Sequence, residues 1–144
     1  MRAVRLNRFA ALLLAASTAC FGQAKDASPP VADGRAAQIH FRFDKADLTP
    51  DETVKVEEVT QVLGKYPRTR VTISGNADER GSEAYNMALS QRRARTVVDY
   101  MVQAGVDSAR MKADWYGERR PVCQTHDEAC WAKNRRVDIT MSAD

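Results

Sequence analysis

The spacing of apolar residues predicts four strands in the part of the chain that follows residue 37. Between residues 38 and 43 every second residue is apolar, which predicts a half-buried strand with Ile39, Phe41 and Phe43 on its inner face. Short β-branched or alternating runs predict three more strands, at residues 70–74, 111–116 and 136–141. The last of these is expected to point Val137, Ile139 and Met141 inward.

A first helix is predicted between the first two strands. Thr49 is a candidate N-cap, Pro50 suits the first helical position, and Glu52 stands where the acidic partner of a capping box is found. Pro67 ends the helix because proline cannot continue it. The expected buried face consists of Val56, Val59, Val62, Leu63 and Tyr66.

A second helix is predicted at residues 82–104, and Gly105 follows it where a left-handed residue commonly closes a helix. A short helical turn is expected at residues 108–110. The resulting order is β-α-β-α-β-β, and strands separated by helices favour crossover connections within one sheet. The predicted fold class is therefore α/β, an α+β sandwich in which one mixed sheet carries its helices on one face.

The N-terminal region predicts export. Arg2, Arg5 and Arg8 precede an apolar run at residues 9–16 that is too short for a permanent membrane span. This pattern predicts a secretory signal at residues 1–19. Proline, glycine and small residues without apolar periodicity then predict a flexible linker at residues 20–37, followed by a single domain at residues 38–144.

The overall charge argues against a nucleic-acid partner once the signal is removed. The formal net charge is +3, but without the three signal arginines 19 Lys and Arg residues face 19 Asp and Glu residues. The mature chain is about neutral, so no nucleic acid is expected to bind it.

Two processing sites compete near residue 20. The stretch that ends in Ala19 and Cys20 resembles a permissive lipobox, although Ser17 stands where such signals usually have leucine. Cleavage after Ala24 would be an ordinary signal-peptidase event instead. Lipidation of Cys20 is the favoured interpretation. Phe21 in the next position gives a lipidated chain no inner-membrane retention signal, so the outer membrane is the expected destination.

Cys123 and Cys130 allow two interpretations. With His126, Asp127 and Glu128 between them, the two thiols could form a metal site. However, six intervening residues do not match the short spacing of zinc motifs, and export favours oxidation. A disulfide with the three intervening side chains exposed is therefore expected, with no metal and no cofactor.

The segment between residues 75 and 95 contains the candidate site. A polar turn between Gly75 and Gly81 presents Asp78, and the following helix presents Arg93 on a stripe that rises from the turn. A carboxylate and a guanidinium placed in this way could bind the two charges of a free amino-acid end. The alternative is an intramolecular salt bridge between Asp78 and Arg93 that caps the helix.

Several motifs of this region resemble a known family. They are Asn76-Ala-Asp-Glu-Arg-Gly, Tyr85-Asn86, Leu89-Ser90, Arg92-Arg93-Ala94 and Asn134-Arg135-Arg136-Val137. Their order and spacing resemble the OmpA-like peptidoglycan-binding domain, and within that family the peptidoglycan-associated lipoproteins. The resemblance covers residues 38–141.

The resemblance implies a ligand and a set of site residues. The ligand would be the diaminopimelate of the peptidoglycan stem peptide, with Asp78 and Arg93 as its charged contacts. Phe43, Asp44 and Leu89 would complete the pocket wall, and Arg136 would be a secondary, supporting residue. Asn86 is expected to hydrogen-bond the turn rather than the ligand, while Glu79 and Arg80 are expected to be solvated.

Three functions follow as hypotheses. The first is a non-catalytic anchor on the periplasmic face of the outer membrane, joined to it by a lipid on Cys20 and holding peptidoglycan noncovalently; without the lipid it would be soluble in the periplasm. The second is a module that docks a protein partner, as in a Tol-type envelope complex. The third, an enzyme acting on the wall, is disfavoured because Arg93 would keep Asp44 and Asp78 ionised, leaving no acid to donate a proton.

Overall fold

A computed structural model of the protein describes residues 34–143. The predicted signal, Cys20 and most of the predicted linker lie outside the described residues. The elements are β1 (Arg35–His40), α1 (Pro50–Lys65), β2 (Thr69–Gly75), α2 (Glu83–Gln103), a 3-10 turn (Ser108–Arg110), β3 (Met111–Trp115), α3 (Glu128–Asn134) and β4 (Arg136–Ala143). Over these residues, no helix combines the length and the apolar character that crossing a membrane requires.

The four strands of the described region form one mixed sheet in the order β1-β4-β2-β3. β4 runs antiparallel to both of its neighbours, and β2 and β3 are parallel, with α2 as the crossover between them. The register places Ile39 opposite Val137 and Ile73 opposite Ile139. The predicted mixed sheet is confirmed, and β4 is inserted between the first two strands of the chain.

The core lies between one face of the sheet and the two long helices. The inward residues of β4, Val137, Ile139 and Met141, are buried as predicted. They meet the apolar stripes of both helices, whose buried members include Val56, Val59, Leu63, Ala94, Val97 and Met101. Burial of this continuous apolar layer is the main favourable contribution to the fold.

The first strand differs from its prediction at both ends. β1 begins at Arg35, inside the predicted linker, and ends at His40. Phe41 is still buried, but the chain then turns, since Lys45 N–H donates to the Arg42 carbonyl at 3.2 Å. The prediction that Phe43 lies on the inner face is therefore wrong, and its side chain is 54% exposed.

The start of α1 lies at Pro50 as predicted, but the capping box is not formed. The Thr49 side chain makes no capping hydrogen bond, and its carbonyl accepts from the backbone and hydroxyl of Thr53 instead. Glu52 accepts from His40 N–H at 3.0 Å, so this carboxylate connects the helix to the end of β1. Acidic residues in the first turn still favour the helix through its dipole.

α2 packs directly against the end of β2. Its N-cap is Ser82, the first residue of the predicted helix, whose hydroxyl accepts from Tyr85 N–H at 3.2 Å, and Gly105 follows its end with φ +96°, as predicted. Gly75 permits the close packing, because a Cβ at this position would lie 2.0 Å from the Ser90 carbonyl oxygen. The residues that follow Gly75 are therefore held close to the side of α2.

α3 was not predicted. Asp127 caps it by accepting from Cys130 N–H at 2.9 Å. Cys123 and Cys130 form the expected disulfide, with a Cα–Cα distance of 5.2 Å, which removes both thiols as metal ligands. The intervening His126 and Asp127, and Glu128 at the start of α3, are exposed, also as expected.

Candidate ligand-binding site

A small polar pocket opens beside the turn that connects β2 to α2. Its volume is about 200 Å³. The lining residues come from the loop after β1, the turn and the first turns of α2: Phe43, Asp44, Asp78, Arg80, Gly81, Tyr85, Asn86 and Leu89. The pocket can therefore accept the end of one short chain.

Asp78 is the buried charge of the pocket, with only 4% of its surface exposed. Its Oδ1 accepts from both the backbone N–H and Nε of Arg80, and its Oδ2 accepts from Arg80 Nη2 at 2.9 Å. Burial raises the pKa of Asp78, but the hydrogen bonds from Arg80 and the positive charges of Arg80 and Arg135 outweigh it and hold the pKa below its usual value. Asp78 is a carboxylate at neutral pH.

Arg80 is not the solvated residue that was expected. Its guanidinium lies between two rings, with Cζ 4.0 Å from the centroid of Phe43 and 4.2 Å from that of Trp131. It forms a bidentate ion pair with Asp78, and Nη1 lies 3.4 Å from Glu128 Oε2. Arg80 is the guanidinium that lines the pocket.

Arg93 is fully buried and does not line the pocket. Its nitrogens donate to the backbone carbonyls of Lys45, Asn76 and Arg42, at 2.8, 3.0 and 3.2 Å. The alternative of a salt bridge with Asp78 is wrong, because these donors point to the main chain, and the charged contact of Arg93 with a ligand stays a prediction. Burial lowers the pKa of Arg93 to about 10, so it stays charged at neutral pH.

The carbonyl contacts of Arg93 connect the two walls of the pocket. Arg42 and Lys45 flank the loop residues Phe43 and Asp44, and Asn76 begins the turn that carries Asp78. Asp44 adopts a left-handed conformation with φ +57°, and its carboxylate accepts from the Tyr85 hydroxyl. Leu89 is buried at the pocket wall.

The two secondary candidates have other partners. Asn86 lines the pocket, but its amide donates to Glu118 at 2.5 Å and not to the turn as expected. Arg136 is buried on β4, where it pairs with Asp138 at 2.9 Å and donates to the Arg120 carbonyl. It does not line the pocket.

Arg135, the neighbour of Arg136, supports the site instead. Its Nη1 lies 3.6 Å from Asp78 Oδ2, while Nε donates to the Phe41 carbonyl and Nη2 to Glu128. Sequence reasoning missed Arg80, Tyr85 and Arg135, although all three belong to the quoted motifs. The motifs locate the site, but nothing in them distinguishes which arginine lies at the wall and which lies behind it.

The fold and this pocket define a small ligand-binding module built on a mixed sheet, and comparisons with known proteins agree. The model of the OmpA family matches residues 40–135. The chain is 39% identical over 131 residues to the peptidoglycan-associated lipoprotein of Rhizobium meliloti, covering 91% of this chain and 72% of that protein. It is 35% identical over 167 residues to the peptidoglycan-associated lipoprotein of Pseudomonas aeruginosa, covering 96% and 99%.

A solved structure extends the similarity to three dimensions. The crystal structure of the peptidoglycan-associated lipoprotein from Burkholderia pseudomallei superposes with a TM-score of 0.71 at 37% identity, covering 73% of this chain and 89% of that one. The chain belongs to the OmpA family, alongside the peptidoglycan-associated lipoproteins, and the resemblance drawn from its motifs is confirmed.

Proposed function

We propose that this domain binds peptidoglycan noncovalently, with a charged end of a stem peptide seated in the pocket. The observation that carries the proposal is the buried, ionised Asp78 beside a ring-stacked Arg80 at the wall of a 200 Å³ pocket. Membership of the OmpA family supports it, because the named relatives are peptidoglycan-associated.

Diaminopimelate suits the pocket because its free end carries an ammonium and a carboxylate on one carbon. Asp78 would accept from the ammonium, and Arg80 Nη1, which lies 3.4 Å from Glu128 Oε2 in this structure, would donate to the carboxylate in place of that contact. Phe43 and Leu89 surround the aliphatic stem, and Asp44 contributes a second negative charge near the mouth. Arg93 acts from behind by fixing the loop and the turn that form the two walls.

The pocket is suited to binding and not to hydrolysis. Cleavage of a glycan requires a carboxylic acid that is protonated near neutral pH. The pKa of Asp78 lies below its usual value because of Arg80 and Arg135, so this group donates no proton. Incubation with sacculi is expected to release no soluble muropeptides; release above the buffer blank would contradict the binding role.

Co-sedimentation with purified sacculi tests the proposal. The wild-type protein is expected to pellet with sacculi, and free diaminopimelate is expected to compete. Asp78→Asn keeps the size of the side chain but removes the charge, and should abolish pelleting. Asp99→Asn, an exposed acid on α2, is the matched control and should pellet like the wild type. The assignment of Asp78 would be contradicted if the Asp78→Asn protein still pelleted with sacculi and free diaminopimelate still competed with that binding.

Lipidation of Cys20 would make this binding a tether. The domain would then join the periplasmic face of the outer membrane to the wall; without lipid it would be a soluble periplasmic protein. Labelling of cells with a radioactive fatty acid should mark the wild-type protein and not Cys20→Ser. Equal labelling of both would assign the lipid elsewhere.

Docking of a protein partner, as in a Tol-type complex, is the second candidate. Phe43 and Tyr85 are 54% and 44% exposed although both line the pocket, and exposed aromatic side chains are enriched at protein interfaces. A partner that uses this rim would compete with sacculi for the domain. Binding of a Tol-type partner that survives saturation with sacculi would place the docking surface elsewhere.

A further inference from the structure

Helix α3 does not line the pocket, but two of its residues contact Arg80, which does. Trp131 itself is not part of the pocket lining, but its ring covers one face of the Arg80 guanidinium at 4.2 Å. Phe43, which does line the pocket, covers the opposite face at 4.0 Å. A guanidinium held between two rings has little freedom to rotate, because leaving either face costs a cation–π contact.

The position of Trp131 is fixed by the turn it faces. Its indole Nε1 donates to Glu79 Oε1 at 2.8 Å, and His126 Nδ1 contacts the same oxygen at 2.5 Å. The hydrogen bond and charge of Glu79 raise the pKa of His126, and those of His126 lower the pKa of Glu79. Trp131 in the middle of α3 and His126 just before the helix thus hold the residue next to Arg80.

The start of α3 is in turn fixed by the segment before it. The disulfide joins Cys123 to Cys130, which is 1% exposed. Asn134 at the end of the helix accepts from the N–H groups of Val122 and Cys123 and donates to the Cys123 carbonyl. Cys130 and Asn134 of α3 are therefore both bonded to residues 122–123, which hold the helix against the segment before it.

We propose that Trp131 is a positioning residue for the ligand pocket: α3, closed by the Cys123–Cys130 disulfide, holds its ring against Arg80 and so fixes the guanidinium at the wall. This role rests on the proposed binding of peptidoglycan. Arg80 has two uses in it, since Nε and Nη2 hold Asp78 while Nη1, which lies 3.4 Å from Glu128 Oε2, is the nitrogen that would donate to a ligand carboxylate. Without the Trp131 ring, the guanidinium keeps its contacts with Asp78 and Phe43 but loses the ring that covers its second face.

The test is a double-mutant cycle on sacculus binding. Trp131→Ala is expected to weaken binding about tenfold, the order expected for loss of one cation–π contact and its ordering effect. Trp131→Phe, which keeps a ring, should retain most of the affinity. Trp115→Ala removes a 40%-exposed indole on β3 and is the control, expected to bind like the wild type.

The cycle separates positioning from general stabilisation. If Trp131 acts through Arg80, then adding Trp131→Ala to Arg80→Ala should weaken binding no further. The paired Cys123→Ser and Cys130→Ser change should also weaken binding in the wild-type background and have no effect in the Arg80→Ala background. The proposal would be overturned if the losses of affinity multiplied when either change was combined with Arg80→Ala. It would also be overturned if Trp131→Ala bound sacculi like the wild type.

A spectroscopic measurement keeps the proposal independent of the ligand. The Arg80 δ protons lie near two rings and should show ring-current shifts in NMR spectra that move towards ordinary values in Trp131→Ala but not in Trp115→Ala. Unchanged shifts would overturn the positioning role. If the wild type fails to bind sacculi while the shifts behave as expected, the proposed function fails and Trp131 positions Arg80 for another ligand.

Discussion

Arg93 Nη1 donates to the carbonyl oxygen of Asn76 at 3.0 Å, and this bond joins the middle of α2 to the turn that bears Asp78. Two further donors of the same guanidinium hold the carbonyls of Arg42 and Lys45 in the loop after β1. One buried side chain therefore sets the spacing between the two walls of the pocket. Its contribution to binding is indirect, through the geometry of the main chain.

Arg93→Ala is expected to lower the free energy of unfolding by about 3 kcal/mol or more. The change leaves three carbonyls without a hydrogen-bond donor, and each buried polar group left unpaired costs about 1–3 kcal/mol. Arg95→Ala removes an exposed arginine of the same helix and should change stability by less than about 0.5 kcal/mol. Urea unfolding followed by circular dichroism measures both. Wild-type stability in Arg93→Ala, combined with lost sacculus binding, would instead assign Arg93 to direct contact with the ligand.

The pKa of Asp78 predicts a loss of stability in acid. Because its folded pKa lies below the value in the unfolded chain, the stability it contributes is present above about pH 4, the ordinary range of an aspartate, and is lost as pH falls through the folded pKa. Between pH 5 and pH 2 the wild type should therefore lose more unfolding free energy than Asp78→Asn. Parallel losses in urea titrations of the two proteins would show that Asp78 has no lowered pKa.

Replacing each of two glycines by alanine should change the stability of the protein in opposite directions. Gly75→Ala is expected to cost about 3 kcal/mol or more, because its Cβ would lie 2.0 Å from the Ser90 carbonyl oxygen and the backbone must move. Gly64 lies in α1, and a methyl group added there would meet nothing within 4 Å beyond its own helix. Gly64→Ala should therefore stabilise the protein by up to about 1 kcal/mol through helix propensity. Thermal unfolding ranks the two variants against the wild type, and equal midpoints would contradict the close packing of β2 on α2.

Loss of the disulfide should cost stability as well as binding. Replacing Cys123 and Cys130 by serine opens a short loop and is expected to lower the free energy of unfolding by about 2.5 kcal/mol. A reducing agent should bring the wild type to the same value and leave the variant unchanged. The alternative is that the two cysteines bind a metal. It would be supported if the reduced protein contained stoichiometric zinc and if a chelator removed the zinc and lowered the stability.

The sheet and the two long helices were predictable because their signals are local. Alternation identifies the inner face of β4, and Ser82 and Gly105 mark the two limits of α2. The end of β1 was not predictable in this way, because Phe43 continues the apolar alternation while the chain turns away at Asp44. Alternation predicts which residues would face the core if the strand continued. It does not predict the turn after which Phe43 no longer faces the core.

The site was predictable in position but not in the roles of its arginines. Asp78, Phe43, Asp44 and Leu89 do line one pocket. Which guanidinium joins them depends on distant carbonyls and rings that no local pattern contains, such as those of Lys45 for Arg93 and Trp131 for Arg80. α3 did have a local signal, Asp127 as N-cap followed by the acid Glu128, which the two cysteines obscured.

The placement of β1 determines how the domain would carry a mechanical load. The pocket lies beyond the His40 end of β1, and the chain from the N-terminus enters at Arg35, about 20 Å away along the strand. A pull between a membrane anchor and a wall-bound pocket would thus run along β1 and shear its ladder with β4. In that geometry the hydrogen bonds between β1 and β4 are loaded together instead of opening one after another, so β1 would resist such a pull in its strongest direction.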